Sequence, residues 1–364
     1  MRWTLRIGTL FGIRVELHVT FLLFVGWIAV AQGLLRGNVQ AALSAVALLL
    51  LVFACVLLHE LGHALTARRY GILTRDIILL PIGGVARLRK MPDRPQQEIV
   101  VALAGPAVNV VIAAALFGVL TLLGRPILPL SFTGGLLEVL LVINAWMLLF
   151  NLIPAFPMDG GRVLRAALAL RLPYPRATRI AAGIGQGIAL LFGLFGLWQN
   201  LPGLMFIALF VFLAAAEERA VVQSRASLEG LPVQAAMLTD FHRLDVSDPL
   251  RRAADYLMAG SQQDFPVVEG EEPVGVLTRD DLIRGIQGGG IDSRVGAIIR
   301  RDGDHAEAGE PLEDAIARMR GSGRSALPVL RGGRLVGLIT LENIGDLVLV
   351  RGAVERHIGR TSSA

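Results

Sequence analysis

"AALSAVALLLLVFACVLLHELGHALTARR", residues 41 to 69, runs without a charge from Ala41 to Leu58 and then sets two histidines and a glutamate at the end of the same run. A bilayer core takes about 20 apolar residues per helix, and a helix crosses it because its backbone satisfies its own hydrogen bonds. The run therefore predicts a membrane helix whose polar end carries a function, since each such side chain costs free energy to desolvate. His59 and His63 are four apart, so a helix puts both on one face with β-carbons about 5 to 6 Å apart. Two imidazoles so placed reach one zinc ion at roughly 2.0 to 2.1 Å each and leave room for another ligand and water. Glu60 lies next to them, near enough to act on water without ligating. This is the HExxH pattern, in which a metal activates water and a carboxylate serves as base. In a soluble helix the same residues read as a surface ion cluster; the apolar run before them favours the metal.

The rest of the chain agrees with a membrane reading. Of 364 residues 54% are apolar and the mean hydropathy is +0.60, more than a water-soluble globule covers easily. Charge-free stretches run from His18 to Leu35, Ala41 to Leu58, Ile99 to Gly124 and Val139 to Met158. A fifth, Ile180 to Ala216, is interrupted by Gln199, Asn200, Leu201, Pro202 and Gly203 and is long enough for two spans. The expected fold is a multi-pass α-helical membrane domain of about six transmembrane helices, residues 1–226, followed by a soluble α/β part. Arg2, Arg6 and Arg14 precede the first span without a cleavage pattern, which reads as a retained anchor.

Alternate loops are rich in arginine: Arg68, Arg69, Arg75, Arg87, Arg89, Lys90 and Arg94 in one, and Arg162, Arg165, Arg171, Arg176 and Arg179 in another. The opposite connections hold only Arg36 and Arg125. Positive charge stays on the cytoplasmic side, so both termini are expected there. The net charge of +5 is spread over loops beside spans, which argues against nucleic acid as a partner. A single cysteine, Cys55, excludes an internal disulfide; it reads as a small buried apolar residue.

A third metal ligand has one plausible source. "NLIPAFPMDGGR", Asn151 to Arg162, ends the fourth span with two prolines, a carboxylate and a glycine pair. Prolines distort the helix, and Gly160 and Gly161 allow conformations closed to other residues. Asp159 can then turn inward, and the second and fourth spans run in the same direction, which brings His59, His63 and Asp159 to similar depth. The other reading of Asp159 is an ordinary carboxylate at a helix end. Asn144 and Asn151, seven apart on one helix face, read as hydrogen-bonding to neighbouring helices, and Asn109 as a packing residue with Gly105 and Pro106.

Beyond about Ser227 charges intersperse with short apolar runs, and a repeat emerges. "FPVVEGEEPVGVLTRDDLIRGI", Phe265 to Ile286, aligns without gaps with "LPVLRGGRLVGLITLENIGDLV", Leu327 to Val348, at an offset of 62. Each copy reads as strand, turn, strand and helix, one unit over 227–291 and one over 292–364. Neither buries its apolar face alone, so the copies are expected to pack together. This resembles a tandem pair of cystathionine-β-synthase (CBS) domains. The resemblance implies an adenine nucleotide or related adenosine ligand between the repeats, contacted by Gly275, Thr278 and Asp281, and allows a homodimer through the pair. The second copy has Asn343 in the acidic position, which departs from that pattern. The alternative is a structural module that binds no ligand.

HELGH in a membrane helix, "AGPAVN" at Ala104 to Asn109 and "NLIPAFPMDGG" together resemble the site-2 protease family of intramembrane zinc metalloproteases, in particular members with a carboxy-terminal CBS pair. That resemblance implies one Zn2+ held by His59, His63 and Asp159, with Glu60 as general base. It also implies that Asn151 positions substrate or stabilises the oxyanion. "LLPIGGVARL", Leu79 to Leu88, resembles the family's Gly-rich strand or re-entrant segment beside the active site; a buried structural hairpin is the other reading. The implied partners are the lipid bilayer and a membrane-protein substrate with a transmembrane segment, cleaved near the cytoplasmic side.

Overall fold

The computed structural model describes residues 3–33, 37–88, 94–125, 135–260, 262–301 and 303–361. Arg2, Arg36, Arg89 and Lys90, counted above in the loop charge, lie outside the described residues. The chain divides into two units, Met1–Val222 and Gln223–Ala364.

The first unit opens with a hairpin, β1 (Thr4–Leu10) and β2 (Ile13–His18), turned through Phe11 and Gly12 at φ 51° and 82°. Two left-handed residues make the tight turn that suits the twist of paired strands. Alternation decides its inner face: Ile13 and Val15 are buried while Arg14 between them is exposed. Helices α1 (Val19–Gly33) and α2 (Val39–Arg69) follow, then a second hairpin, β3 (Thr74–Leu80) and β4 (Gly83–Leu88). The sheet order is β1-β2-β3-β4, with β2 and β3 parallel. A parallel pair needs a long crossover, and α1 with α2 supplies it. Ile13, Phe21, Phe53, Leu61, Ala64, Ile77 and Leu79 close one core between the sheet and these two helices. Asp76, 1% exposed, accepts from Arg87 Nε at 2.5 Å and Nη2 at 2.6 Å, a fork across β3 and β4 that pins their register.

Five further helices complete this unit: α3 (Pro95–Leu122), α4 (Leu136–Asn151), α5 (Asp159–Ala169), α6 (Tyr174–Trp198) and α7 (Pro202–Ala226). Among the described residues three helices, α2, α3 and α6, are long and apolar enough to cross a membrane. Helices α1 and α4 are apolar but shorter, with 15 and 16 residues. The stretch read as a fourth span thus ends early: α4 stops at Asn151, and Asp159 starts a separate helix. Pro154 and Pro157 lack the N–H that a continuing helix would use. Apolar side chains that face outward, such as Leu51, Phe117, Leu191 and Phe206, suit lipid contact.

The second unit holds two sheets of the same plan. The first copy comprises β5 (Leu244–Asp245), α8 (Leu250–Ala259), β6 (Phe265–Glu269), β7 (Glu272–Leu277) and α9 (Arg279–Gly289). The second comprises β8 (Ala306–Glu307), α10 (Leu312–Ser322), β9 (Ala326–Arg331), β10 (Arg334–Thr340) and α11 (Leu341–Thr361). Each copy's leading turn packs into the other copy's core. Val233 and Ala236 lie among Ala306, Leu312, Leu327 and Ile344, whereas Val295 and Ile299 lie among Leu244, Leu250, Phe265 and Leu277. The pair is therefore interlocked, which gives physical content to the expectation that neither copy stands alone.

Candidate metal centre

Near the carboxy-terminal end of α2, His59 and His63 point to one place, and Asp159, first residue of α5, meets them there; they are 5%, 5% and 6% exposed. The two Nε2 atoms are 3.1 Å apart, and Asp159 Oδ2 is 3.2 Å from His59 Nε2 and 3.1 Å from His63 Nε2. Tetrahedral zinc with bonds of about 2.0 to 2.1 Å sets its ligand atoms about 3.3 Å apart. The three atoms thus form one face of a tetrahedron of the right size.

The opposite ring nitrogens explain the chemical state. His59 Nδ1 lies 2.5 Å from Asn109 Oδ1, and His63 Nδ1 lies 2.7 Å from the Val101 carbonyl oxygen. Both partners accept, so each ring carries its proton on Nδ1 and turns a lone pair on Nε2 toward the other ligands. Two such lone pairs and a carboxylate oxygen within this distance repel one another unless a cation lies among them. The donor set, two imidazoles and a carboxylate, is one that zinc takes. Among the described residues, these three are the group of His, Cys, Asp or Glu side chains placed to hold a metal.

Helix α3 builds the wall of this site. A β-carbon on Gly105 would overlap His63 Nε2 and lie 2.7 Å from His59 Cε1. Gly62 lets α2 come close: a β-carbon there would be 2.8 Å from the Ala104 carbonyl oxygen. Helix spacing then explains the rest, because Glu98, Val101, Ala102, Gly105 and Asn109 recur at three- and four-residue steps along one buried face of α3. Asn109, read from sequence as a packing residue, is also the partner of a metal-capable histidine.

Asp159 is delivered by the loop between α4 and α5. The glycine pair acts here through space: neither Gly160 nor Gly161 has positive φ. A β-carbon on Gly160 would overlap the Leu152 and Ile153 carbonyl oxygens, and one on Gly161 would lie 2.7 Å from Phe156 N. Helix α5 is fixed in turn by Arg165, fully buried, whose Nε donates to Glu98 Oε1 at 2.9 Å and whose Nη1 pairs with Glu218 of α7. The rings of Phe156 and Tyr174 lie 5.0 and 5.1 Å from its guanidinium carbon. Sequence reading counted Arg165 only as loop charge; its partners are 67 and 53 residues away.

Glu60 leaves the ligand trio and lies against β4. A β-carbon on Gly84 would be 2.7 Å from its Cγ. Among the described residues β4 is an edge of the four-stranded sheet, so a strand edge runs beside the glutamate that adjoins the two metal-capable histidines on α2. The 79–88 segment is thus a hairpin that touches the site. Asn151 closes α4 and is half-buried; among the described residues no hydrogen bond joins its side chain to the three ligands. Cys55 is buried and accepts from Asn144 Nδ2 at 3.5 Å.

In the second unit, Thr278 caps α9: its hydroxyl accepts from Asp281 N at 3.2 Å and donates to Asp281 Oδ2 at 2.6 Å. Arg284 also donates to Asp281, at 2.5 Å. These contacts hold the Asp281 carboxyl below its ordinary range against the opposing effect of burial. Gly275 admits the Arg300 carbonyl oxygen, which would lie 2.7 Å from a β-carbon. Thr340 and Asn343 repeat the cap in the second copy, so the asparagine keeps the fold while removing the charge. Between the copies, Ser325 Oγ donates to Asp264 Oδ2 at 3.1 Å.

The sequence profile of peptidase family M50 matches residues 47–134 and 130–192, and that of the CBS domain matches 233–288 and 295–348. A zinc metalloprotease of Methanocaldococcus jannaschii is 31% identical over 354 residues, 94% of this chain and 96% of the relative. Stage IV sporulation protein FB of Bacillus subtilis is 33% identical over 191 residues, 52% of this chain and 61% of that protein. A solved site-2 protease from Methanocaldococcus jannaschii is 38% identical, covers 60% of this chain and 95% of its own, and superposes with a TM-score of 0.45.

Proposed function

The chain belongs to peptidase family M50 as a zinc metalloprotease with a tandem CBS pair, and we propose that it hydrolyses a peptide bond in or beside a transmembrane segment of another membrane protein. The observation that carries this reading is the triangle of His59, His63 and Asp159 at the end of an apolar helix, with Glu60 turned toward a strand edge. His59 Nε2, His63 Nε2 and Asp159 Oδ2 would hold one zinc ion. When bound, zinc polarises the scissile carbonyl and brings the pKa of water near 7.

The protein's own groups do the remaining work. Glu60 takes a proton from water and returns it to the leaving amine. A substrate helix shelters its peptide bonds, so it must unwind before attack. The edge of β4 that pairs with no other described strand holds the opened segment by strand addition, and Gly84 lets β4 lie against Glu60. Asn151 donates to the oxyanion that develops on the scissile carbonyl. The arginine-rich loops face the cytoplasm, and so do both termini, the CBS pair and the water path to the site. The CBS pair binds an adenine nucleotide with Thr278 and Asp281 at the ribose and Gly275 at the adjoining backbone, and through it alters access to the membrane site. Such control requires different affinity in two conformations.

Cleavage of a candidate membrane substrate by purified wild type and Glu60→Gln, with zinc content measured in both, tests the reading. It expects full zinc and no cleavage in the variant. A variant that still cleaves, or one that loses its zinc, contradicts the role given to Glu60.

A further inference from the structure

Asn109 and Asn144 are both completely buried, on α3 and α4. Their amides form one directed chain. Asn144 Nδ2 donates to the Leu140 carbonyl oxygen at 2.9 Å, Asn109 Nδ2 donates to Asn144 Oδ1 at 3.1 Å, and Asn109 Oδ1 faces His59 Nδ1 at 2.5 Å. An amide can be turned over in principle, so what fixes each orientation is the partner that cannot change. Here that partner is Leu140 O, a helix carbonyl with no proton to give.

The order follows by elimination. Facing a pure acceptor, Asn144 must present its NH2 there and its oxygen toward Asn109. Asn109 must then present its own NH2 to Asn144, which leaves only an oxygen for His59. An oxygen accepts, so His59 carries its proton on Nδ1 and keeps Nε2 free. Its neighbour is treated alike by a shorter route, since the Val101 carbonyl meets His63 Nδ1 directly. Reversing Asn144 would set NH2 against NH2 and oxygen against the Leu140 carbonyl, and reversing Asn109 would set oxygen against oxygen, between completely buried side chains.

We propose that Asn144, whose side chain hydrogen-bonds to none of the three metal-capable residues among the described residues, is a positioning residue that sets the tautomer of His59 through Asn109 and thereby holds Nε2 ready for the metal. This rests on the zinc reading of the trio, and it extends the site to a residue on α4 whose side chain hydrogen-bonds, among the described residues, to Asn109, Leu140 and Cys55.

The variants Asn144→Leu and Asn144→Asp separate tautomer control from mere packing. Leucine frees Asn109 to turn its NH2 toward His59, which favours the proton on Nε2, where it competes with zinc. Aspartic acid, kept protonated by burial, donates to the Leu140 carbonyl and accepts from Asn109 Nδ2 as the native amide does, so it keeps Asn109 in its native sense. Loss of an outer partner of a metal-bound histidine lowers affinity by about 10 to 100-fold; one link further out, about tenfold is expected for Asn144→Leu. Zinc affinity is read by chelator competition on the full-length protein in detergent. The tautomer is read in the metal-free protein from 15N shifts of labelled histidine, with His59→Ala assigning the signal. The proposal expects Asn144→Leu to weaken zinc and move the His59 nitrogen shifts toward the Nε2–H form, and Asn144→Asp to stay near wild type in both. It is overturned if Asn144→Leu binds zinc like wild type, if zinc weakens with no change in His59 tautomer, or if Asn144→Asp loses as much as Asn144→Leu. If zinc binding fails in the wild type also, the fault lies with the metal reading itself.

Discussion

Replacing Gly105 by alanine adds one methyl group where the structure has no room for it. The new β-carbon would lie 2.7 Å from His59 Cε1 and overlap His63 Nε2, whereas carbon atoms rest at about 3.5 to 4.0 Å. Either the imidazoles retreat by about 1 Å or α3 moves by as much. Neither yields easily. His63 is held by the Val101 carbonyl on the same helix, His59 by Asn109 on that helix, and α3 is itself fixed at Gly62 and at the Glu98–Arg165 pair. Overpacking of this kind costs about 1 to 3 kcal/mol, and the strain falls on the ligand atoms. A zinc bond tolerates deviations of about 0.2 Å, so Gly105→Ala should weaken zinc by at least about tenfold, the lower figure for disturbing a partner of a metal-bound histidine. Chelator competition on the purified protein measures this, and a thermal melt without zinc shows whether the bundle itself has survived. A variant that binds zinc within twofold of wild type and cleaves at the wild-type rate would refute the close approach of α3 to the ligands.

Gly84→Val, on the other side of the site, should do the reverse: its side chain meets Glu60 Cγ and Val56 Cγ1, so cleavage should fall at least about 100-fold while zinc content stays full. Equal loss of both would put β4 in the metal site instead of beside the base. Arg165→Met leaves Glu98 and Glu218 facing each other without a cation, which costs about 3 to 5 kcal/mol for a broken buried pair; adding Glu98→Gln should recover part of the lost thermal stability, and a double variant no better than the single would remove the pair from the account. Burial holds the Asp264 carboxyl above its ordinary value of about 3.9, against the opposing bond from Ser325. The folded CBS unit therefore binds this proton more readily than the unfolded chain does, and its stability falls as pH rises from the ordinary value through the raised one. Asp264→Asn should flatten that decline, measured by hydrogen exchange at β6 and β9 across the acidic range; an unchanged slope would exclude Asp264 as its source.

The metal-capable trio was legible as a cluster because its members lie on one helix turn and at the entry of one Asp-Gly-Gly stretch, both marked by polar residues in apolar surroundings. The repeat was legible because two copies of one fold keep one spacing, even though the exchange of leading turns appears only when Val233 and Val295 are seen in opposite cores. Other features were hidden for physical reasons. The β1–β2 hairpin carries a period-two signal in Ile13, Arg14, Val15 and Glu16, but its arginines were read as charge ahead of a span. Asn109 and Arg165 act across gaps of 50 and 67 residues, and a polar residue in an apolar helix does not disclose which distant group it meets. The end of α4 was marked by the prolines of the Asn151 to Arg162 stretch, although the charge-free run itself continues to Met158.

The most direct measurement is anomalous diffraction at the zinc edge from crystals of the zinc-loaded, full-length protein. The account predicts one peak per chain, about 2.0 to 2.2 Å from His59 Nε2, His63 Nε2 and an Asp159 carboxylate oxygen, and its disappearance in Asp159→Ala. A peak held by other residues, or zinc retained at the two histidines with Asp159 turned away, would contradict it.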